Sequence, residues 1–162
     1  MKDKIQITAE SSINKFKVKD WNNCNKNGNV FLSYNFLKLL EDSNSIGGNT
    51  GWQPIYFCLK VNDKVTIIVP SFIKYHSQGE FVFDHSWAQA YQSLGLNYYP
   101  KLLIASPFSP VTGKRILVTQ NINALIKKKL FDFIKEFCKE KKISSIHINF
   151  FEEHDLDFLK NE

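Results

Sequence analysis

The chain has 162 residues, a formal net charge of +5 and a sequence pI of about 9.0. Its hydrophobic residues (43%) and aromatic residues (14%) predict one folded domain, 1–162, and exclude a disordered chain. No apolar run approaches the roughly 20 residues of a membrane helix, so we expect no membrane insertion. Three widely spaced cysteines without a CxxC pair favour reduced thiols in a cytoplasmic protein. Scattered lysines form no basic stripe, so we expect no specific DNA binding.

The N-terminal third predicts one strand and two helices. Lys4–Thr8 alternates like a short strand. Ser11 or Ser12 is a suitable cap for a helix that ends near the Asn-rich turn 22–28. Ser33 caps the next helix, whose apolar face runs to Leu40.

The middle of the chain predicts a hairpin followed by a third strand. Ile55–Val61 and Val65–Tyr75 are strand-like, and Asn62–Asp63 supplies the turn. Pro70 indicates a bulge or an edge in the second strand. Glu80–Phe83 is expected to form the third, short strand.

The C-terminal half alternates helices and strands. Ser86 can cap a helix that ends at Gly95, and Leu125–Lys142 is the clearest amphipathic helix. The remaining predicted elements are strands at Lys101–Ala105, Ile116–Val118 and Ser145–Phe150, and the start of a helix at Asp155–Leu159. Antiparallel pairing first and α/β alternation later predict a mixed, largely antiparallel sheet with helices on both faces.

The run from His76 to Arg115 is the candidate functional region, because carboxylates, imidazoles and tyrosines crowd into it. On the expected strand, Glu80 and Asp84 share one face, which suits either an active-site wall or an ordinary solvent-facing strand. Tyr98 and Tyr99 are either hydrogen-bond donors to a reacting oxygen or core residues with exposed hydroxyls.

Two further patterns carry weaker signals. The loop from Val111 through Thr112 and Gly113 to Arg115 can bind phosphate through backbone N–H groups and two cations, but it lacks the Walker pattern. The four histidines match no metal-ligand spacing, so we expect no metal site.

Beyond these local patterns, the chain resembles the N-terminal half of FemAB-like predicted bacterial N-acyltransferases, which have GNAT-type folds and are linked to peptidoglycan synthesis. The family pattern has Trp at the position of His85 and Asp at that of Gln89, and its members are about twice as long. The segments that carry the resemblance are Phe31–Glu41, Gly51–Pro54, Tyr75–Asp84, Trp87–Tyr91, Tyr98–Leu103 and Pro107–Gly113, with Arg115.

The resemblance implies a GNAT-like domain that transfers an acyl or aminoacyl group to an amine acceptor, such as a small molecule or a cell-wall precursor. It implies no permanently bound cofactor, and acyl-CoA or aminoacyl-tRNA as co-substrate. The alternative is a non-catalytic binding or scaffold half that needs a second GNAT-like half or a homodimer, with an exposed apolar face.

The residues that such a transferase needs are a base, hydrogen-bond donors and substrate contacts. Glu80 or Asp84 is the expected base or amine-orienting group. His76 is its expected partner, and Tyr98 or Tyr99 the donor to the oxyanion or leaving group. The expected substrate-binding residues are Trp87, Tyr91, Lys101, Thr112, Gly113 and Arg115.

Overall fold

A mixed sheet forms the centre of the fold in the computed structural model, which describes residues 3–26, 28–119, 122–153 and 155–156. Its six strands are β1 (Ile5–Glu10), β2 (Trp52–Val61), β3 (Lys64–Lys74), β4 (Lys101–Ile104), β5 (Leu117–Val118) and β6 (Ile146–Ile148). The helices are α1 (Val18–Cys24), α2 (Tyr34–Asp42), α3 (His85–Ser93) and α4 (Ala124–Glu140).

The strands lie in the order β1-β2-β3-β4-β6, and β5 also pairs with β3. All pairs are antiparallel except β4 with β6, which are parallel. The predicted mixed, largely antiparallel sheet is therefore confirmed.

The β2–β3 hairpin turns at Asn62 and Asp63, as predicted. Both residues have positive φ, 51° and 63°, which suits a two-residue hairpin turn because its twist matches that of the strands. The pairing continues from Val61 with Lys64 as far as Trp52 with Lys74. The hairpin therefore carries Trp52 and Lys74 side by side to the far end of the sheet.

The outer edge of β3 is shared between two strands. β4 pairs with Phe72–Lys74 and β5 with Ile67–Ile68, while the chain between β4 and β5 loops out of the sheet. Pro70 lies in the stretch that neither strand pairs, where its missing N–H costs no ladder bond on that side. The edge position predicted for Pro70 is confirmed, since neither β4 nor β5 pairs with this residue.

Helices cover both faces of the sheet, as predicted. Trp21 of α1 and Leu37 of α2 belong to one buried cluster, together with Tyr56 and Phe72. The apolar face of α4 belongs to the other cluster. In contrast, α3 buries none of its residues, so its position depends on the residues that flank it.

Two of the predicted elements are wrong. The first predicted helix is split into a 3-10 turn, Ile13–Lys15, and the short α1. Glu41 accepts hydrogen bonds from the Ser12 hydroxyl (2.6 Å) and the Ile13 N–H (2.8 Å), so a partner from α2 satisfies the start of the turn. Residues 80–83 form no strand. The carboxylates of Glu80, at the start of this segment, and of Asp84, just after it, are both buried in the protein.

The predicted helix at Asp155–Leu159 lies mostly outside the described residues. All three cysteines are free and buried. In the described ranges, no helix is both long and apolar enough to span a membrane.

Candidate functional site

Four charged side chains form a buried cluster, which we call the ion cluster: Lys74, Glu80, Asp84 and Lys101. Their side chains are between 0% and 6% exposed. Lys101 Nζ lies 2.9 Å from Glu80 Oε2 and also donates to Asp84 Oδ2. Lys74 Nζ lies 3.8 Å from Glu80 Oε1. Two cations and two anions balance, and such balance is required because an unpaired buried charge is strongly unfavourable.

The sheet register explains why both carboxylates are needed. Lys74 of β3 and Lys101 of β4 are direct cross-strand partners. Like charges in that position repel each other. Glu80 contacts both ammonium groups and Asp84 contacts one of them, so the loop after β3 supplies the compensating charge.

Asp84 is the centre of a hydrogen-bond network. It accepts from the Tyr98 hydroxyl at 2.7 Å, from Tyr99 at 3.3 Å, and from Ser77 and Lys101 at close range. Burial alone would raise the pKa of Asp84, but these hydrogen bonds outweigh it and hold the pKa well below its usual range. Asp84 is therefore ionised near neutral pH, and it is poorly suited to accept a proton there.

Asp84 also positions α3, because it is the residue immediately before that helix. Its carboxylate does not cap the helix, since it is turned inward to the ion cluster. The predicted cap, Ser86, lies inside the helix instead. The burial of Asp84 therefore ties an otherwise exposed helix to the sheet.

Lys74 lies on the face of Trp52, with Nζ 3.8 Å from the ring centroid, and donates to the Gln78 carbonyl at 3.1 Å. Burial lowers the pKa of Lys74 to about 8, although Glu80 opposes this shift. Glu80 Oε1 has no hydrogen-bond donor among the described residues. Of the two predicted carboxylates, Glu80 is thus the one with an unused acceptor.

An open groove of about 540 Å³ lies beside the ion cluster, between α3, residues 76–78 and residues 96–99. His76, Tyr98 and Tyr99 line it. Gly51 packs so closely on His76 that a Cβ there would lie 2.1 Å from Nε2, and its φ of +75° also favours glycine.

The predicted set therefore separates into an inner and an outer layer. Glu80, Asp84 and Lys101 form the inner layer, and Tyr98 and Tyr99 connect it to the groove. His76 lies in the groove wall, and its Nδ1 accepts from the Gln78 N–H at 3.2 Å. Among the described contacts, His76 bonds neither carboxylate. Ser77, and not His76, is the partner of the carboxylate: it hydrogen-bonds both Asp84 and Tyr99.

Arg115 is fully buried and belongs to a separate network. Its guanidinium donates to the Asn149 carbonyl at 2.8 Å, to the Ser106 hydroxyl at 3.2 Å and to the Val111 carbonyl. Asp155 accepts from the Arg115 N–H at 3.0 Å. These internal partners leave Arg115 committed to holding the loop between β4 and β5.

The neighbours of Arg115 in the predicted anion loop have different surroundings. The Gly113 N–H donates to the Phe150 carbonyl at 3.0 Å, so this backbone donor is already used. Thr112 is exposed. The hydrogen bonds described for Gly113 and Arg115 go to other residues than those of the ion cluster, and the role of this loop in anion binding stays a prediction.

The two predicted aromatic contacts on α3 have different surroundings. Tyr91 packs edge-on against Tyr98, with ring centroids 5.2 Å apart. Trp87 is 65% exposed, and Phe81, Phe83 and Leu94, which lie near it in the sequence, are also exposed. The structure therefore connects Tyr91 to the groove wall and leaves Trp87 on the outside.

A comparison with known protein families identifies the family. The FemAB-like family model, described as peptidoglycan biosynthesis/recognition, matches residues 12–162. The chain belongs to the FemAB-like family. This FemAB-like chain matches no curated protein and no solved structure at a significant level. The family match confirms the FemAB-like resemblance expected from the sequence, and it connects the protein with peptidoglycan.

The sequence did not single out Ser77, Lys74 or Trp52 as members of the site. A lysine at the end of an apolar strand was a usable signal for Lys74, because burying it requires a counter-charge. In the described part of the FemAB-like chain, no group of three His, Cys, Asp or Glu side chains is placed to hold a metal ion. His154 lies outside that part.

Proposed function

We propose that this FemAB-like chain takes part in N-acyl or aminoacyl transfer to an amine acceptor, with the groove beside the ion cluster as the acceptor side. The observation that carries the proposal is the position of Tyr98 and Tyr99, which line the groove and also bond Asp84. The rigid anchor behind them supports precise placement of groups in the groove, which acyl transfer needs. We also propose that the sheet has a GNAT-like topology.

In the proposed reaction, the acceptor nitrogen bonds to the acyl carbonyl carbon. The bond from that carbon to the tRNA ester oxygen, or to the thioester sulfur, breaks. The nitrogen loses one proton, which passes to the leaving group or to solvent. Both donor classes remain part of the proposal.

The surroundings of the residues support different roles for them. Burial raises the pKa of Tyr98, and its bond to Asp84 raises it further, so its hydroxyl stays protonated. Tyr99 is only half-buried and its pKa is also raised, chiefly by burial. We assign to Tyr99 and His76, which line the groove, the contacts with the acceptor and the transfer of its proton. Asp84 holds Tyr99 in place through its hydrogen bond, and Lys101, paired with Glu80, holds Asp84.

The test is an acyl-transfer screen with CoA thioesters and charged tRNA, using the wild type, Tyr99→Phe and His76→Ala. We expect turnover to fall by about 100-fold or more in at least one variant, with the melting temperature close to that of the wild type. The exposed Lys64→Ala on β3 is the control. If the wild type transfers the acyl group and both variants retain full activity, the assigned roles are contradicted. If no donor supports transfer by the wild type, the proposed function is contradicted.

A second candidate is a non-catalytic binding half that pairs with another domain or chain. The observation in its favour is the number of exposed apolar side chains between residues 81 and 96, where Phe83 and Leu94 are each 74% exposed. Analytical ultracentrifugation tests it: a monomer at all concentrations, with full transfer activity, would contradict it.

A further inference from the structure

The first strand of the sheet has a free edge. Among the described residues, β1 pairs with β2 alone, so no strand lies along its other side. The strand Ile5–Glu10 contains no Pro, no bulge and no charged residue before Glu10. Proteins normally use such devices to block an open edge, because it is a template for pairing with another chain. The strand at the opposite end of the sheet, β6, has only three residues.

The hydrogen-bond register shows which groups this free edge presents. Lys4 continues the register of β1 with β2, and its carbonyl accepts from the Asn62 N–H at 2.8 Å. Hydrogen-bonded and non-hydrogen-bonded residues alternate along an antiparallel pair. The even-numbered residues of β1 therefore bond to β2. The odd-numbered residues turn their N–H and C=O groups outward, and these are Ile5, Ile7 and Ala9.

The outward groups favour one antiparallel register with a second copy of the chain. If Ile7 lies opposite Ile7 of the second copy, then Ile5 lies opposite Ala9, and all three outward residues form hydrogen-bonded pairs. A shift of two residues in either direction loses one of these pairs. Opposite side chains share a face, so the apolar side chains of the two copies meet. On that face Ile5, Ile7 and Ala9 already pack against the buried cluster that contains α4.

The same register brings opposite charges together. Lys4 of each copy lies opposite Glu10 of the other, at the two ends of the pairing. Glu10 has no salt bridge within the described part of the chain, and the pair of Lys4 with Asp63 lies on the surface, with side chains 68% and 70% exposed. Lys4 is therefore free to reach a second carboxylate. Opposite charges in directly facing positions stabilise a strand pair.

We propose that β1 is a self-association edge, where two copies of the chain pair antiparallel about Ile7 into one continuous sheet. The two-fold axis closes the contact, so it produces dimers and not fibres. The contact is short, and we therefore expect a dimer whose population rises with protein concentration. The inference does not rest on the proposed function, because no residue of β1 lines the groove beside the ion cluster.

Disulfide cross-linking of the full chain tests the register. Residues of a hydrogen-bonded pair have Cα atoms about 5.5 Å apart, a distance that a disulfide spans. Ile7→Cys should therefore form a covalent dimer under copper–phenanthroline oxidation, while the three native cysteines are buried. The matched control is Gln6→Cys. Its two copies would lie diagonally, with Cα atoms about 7–8 Å apart, and should cross-link much less.

Charge reversal tests the ends of the pairing. Glu10→Lys places lysines opposite each other and should weaken the dimer about fivefold or more in analytical ultracentrifugation. Lys4→Glu/Glu10→Lys restores opposite charges and should recover most of the affinity. Glu153→Lys changes the net charge equally at an exposed position outside β1, so it should leave the affinity unchanged.

Four results would overturn the inference. The first is a monomer at all concentrations, and the second is equal cross-linking at residues 6 and 7. The third is an unchanged affinity in Glu10→Lys. The fourth is a dimer that Phe83→Ser dissociates and that Ile7→Cys does not cross-link, since the contact would then lie at residues 81–96.

Discussion

Removing the central cation of the ion cluster should strongly destabilise the fold. Lys101 donates to both Glu80 and Asp84, and its side chain is 2% exposed. In Lys101→Met the two carboxylates remain buried with only Lys74 nearby. Breaking a buried ion pair by removing one partner costs about 3–5 kcal/mol. For a chain of this length, that loss corresponds to a melting temperature roughly 6–20 °C lower.

The loss should depend on pH in a definite direction. The folded-state pKa of Asp84 is held below its usual range, with Lys101 as its strongest hydrogen-bond partner. Such a group stabilises the fold above its unfolded pKa of about 3.9, and the contribution is lost as pH falls below that value. The difference between wild type and Lys101→Met should therefore be largest near neutral pH and shrink below about pH 4.

Urea unfolding followed by circular dichroism at about pH 7 and pH 3.5 measures both effects. Lys64→Met, which removes an exposed lysine from β3, is the control and should leave the midpoint unchanged. Adding Asp84→Asn to Lys101→Met should cost less than the sum of the two single changes, because the two side chains interact directly. A loss below about 1 kcal/mol at neutral pH, or a loss independent of pH, would refute the buried-pair reasoning.

Three further outcomes follow from the described contacts. Burial lowers the pKa of Lys74 to about 8, so the folded state releases this proton first as pH rises; between about pH 7.5 and 9.5 wild-type stability should increase by about 2 kcal/mol relative to Lys74→Met. Parallel urea titrations of the two proteins check this, and equal slopes would contradict it. Arg115→Met should lower stability by about 3 kcal/mol without changing acyl-donor binding, since Arg115 is fully buried among internal acceptors; calorimetry with donor titration tests it, and a stable variant with weakened donor binding would restore Arg115 as an anion contact. Phe83→Ser and Trp87→Ser should reduce concentration-dependent association in size-exclusion chromatography while changing stability by about 0.5 kcal/mol or less; a large loss of stability would show that these side chains pack in the core.

Local sequence patterns predicted the regular elements well where one face of an element is buried. The hairpin at Asn62–Asp63, the amphipathic α4 and the Ser33 cap of α2 all have short-range signals. The strand predicted for residues 80–83 is wrong, because side chains alternate between two faces only where the backbone is extended. Here the carboxylates at 80 and 84 turn inward to two lysines, and Phe81 and Phe83 turn outward.

The sequence by itself determined the family, the mixed sheet and the region of the candidate site, because these depend on local patterns and on a signature spread over most of the chain. Only the tertiary structure decided the roles within that region. The register that places Lys74 opposite Lys101, and the loop that brings Asp84 to them, are long-range features. Arg115 and Lys101 have the same charge in the sequence, yet one stabilises a loop and the other an ion cluster. Which partner a buried charge meets depends on how distant segments pack, and electrostatic energy depends on that distance and on burial.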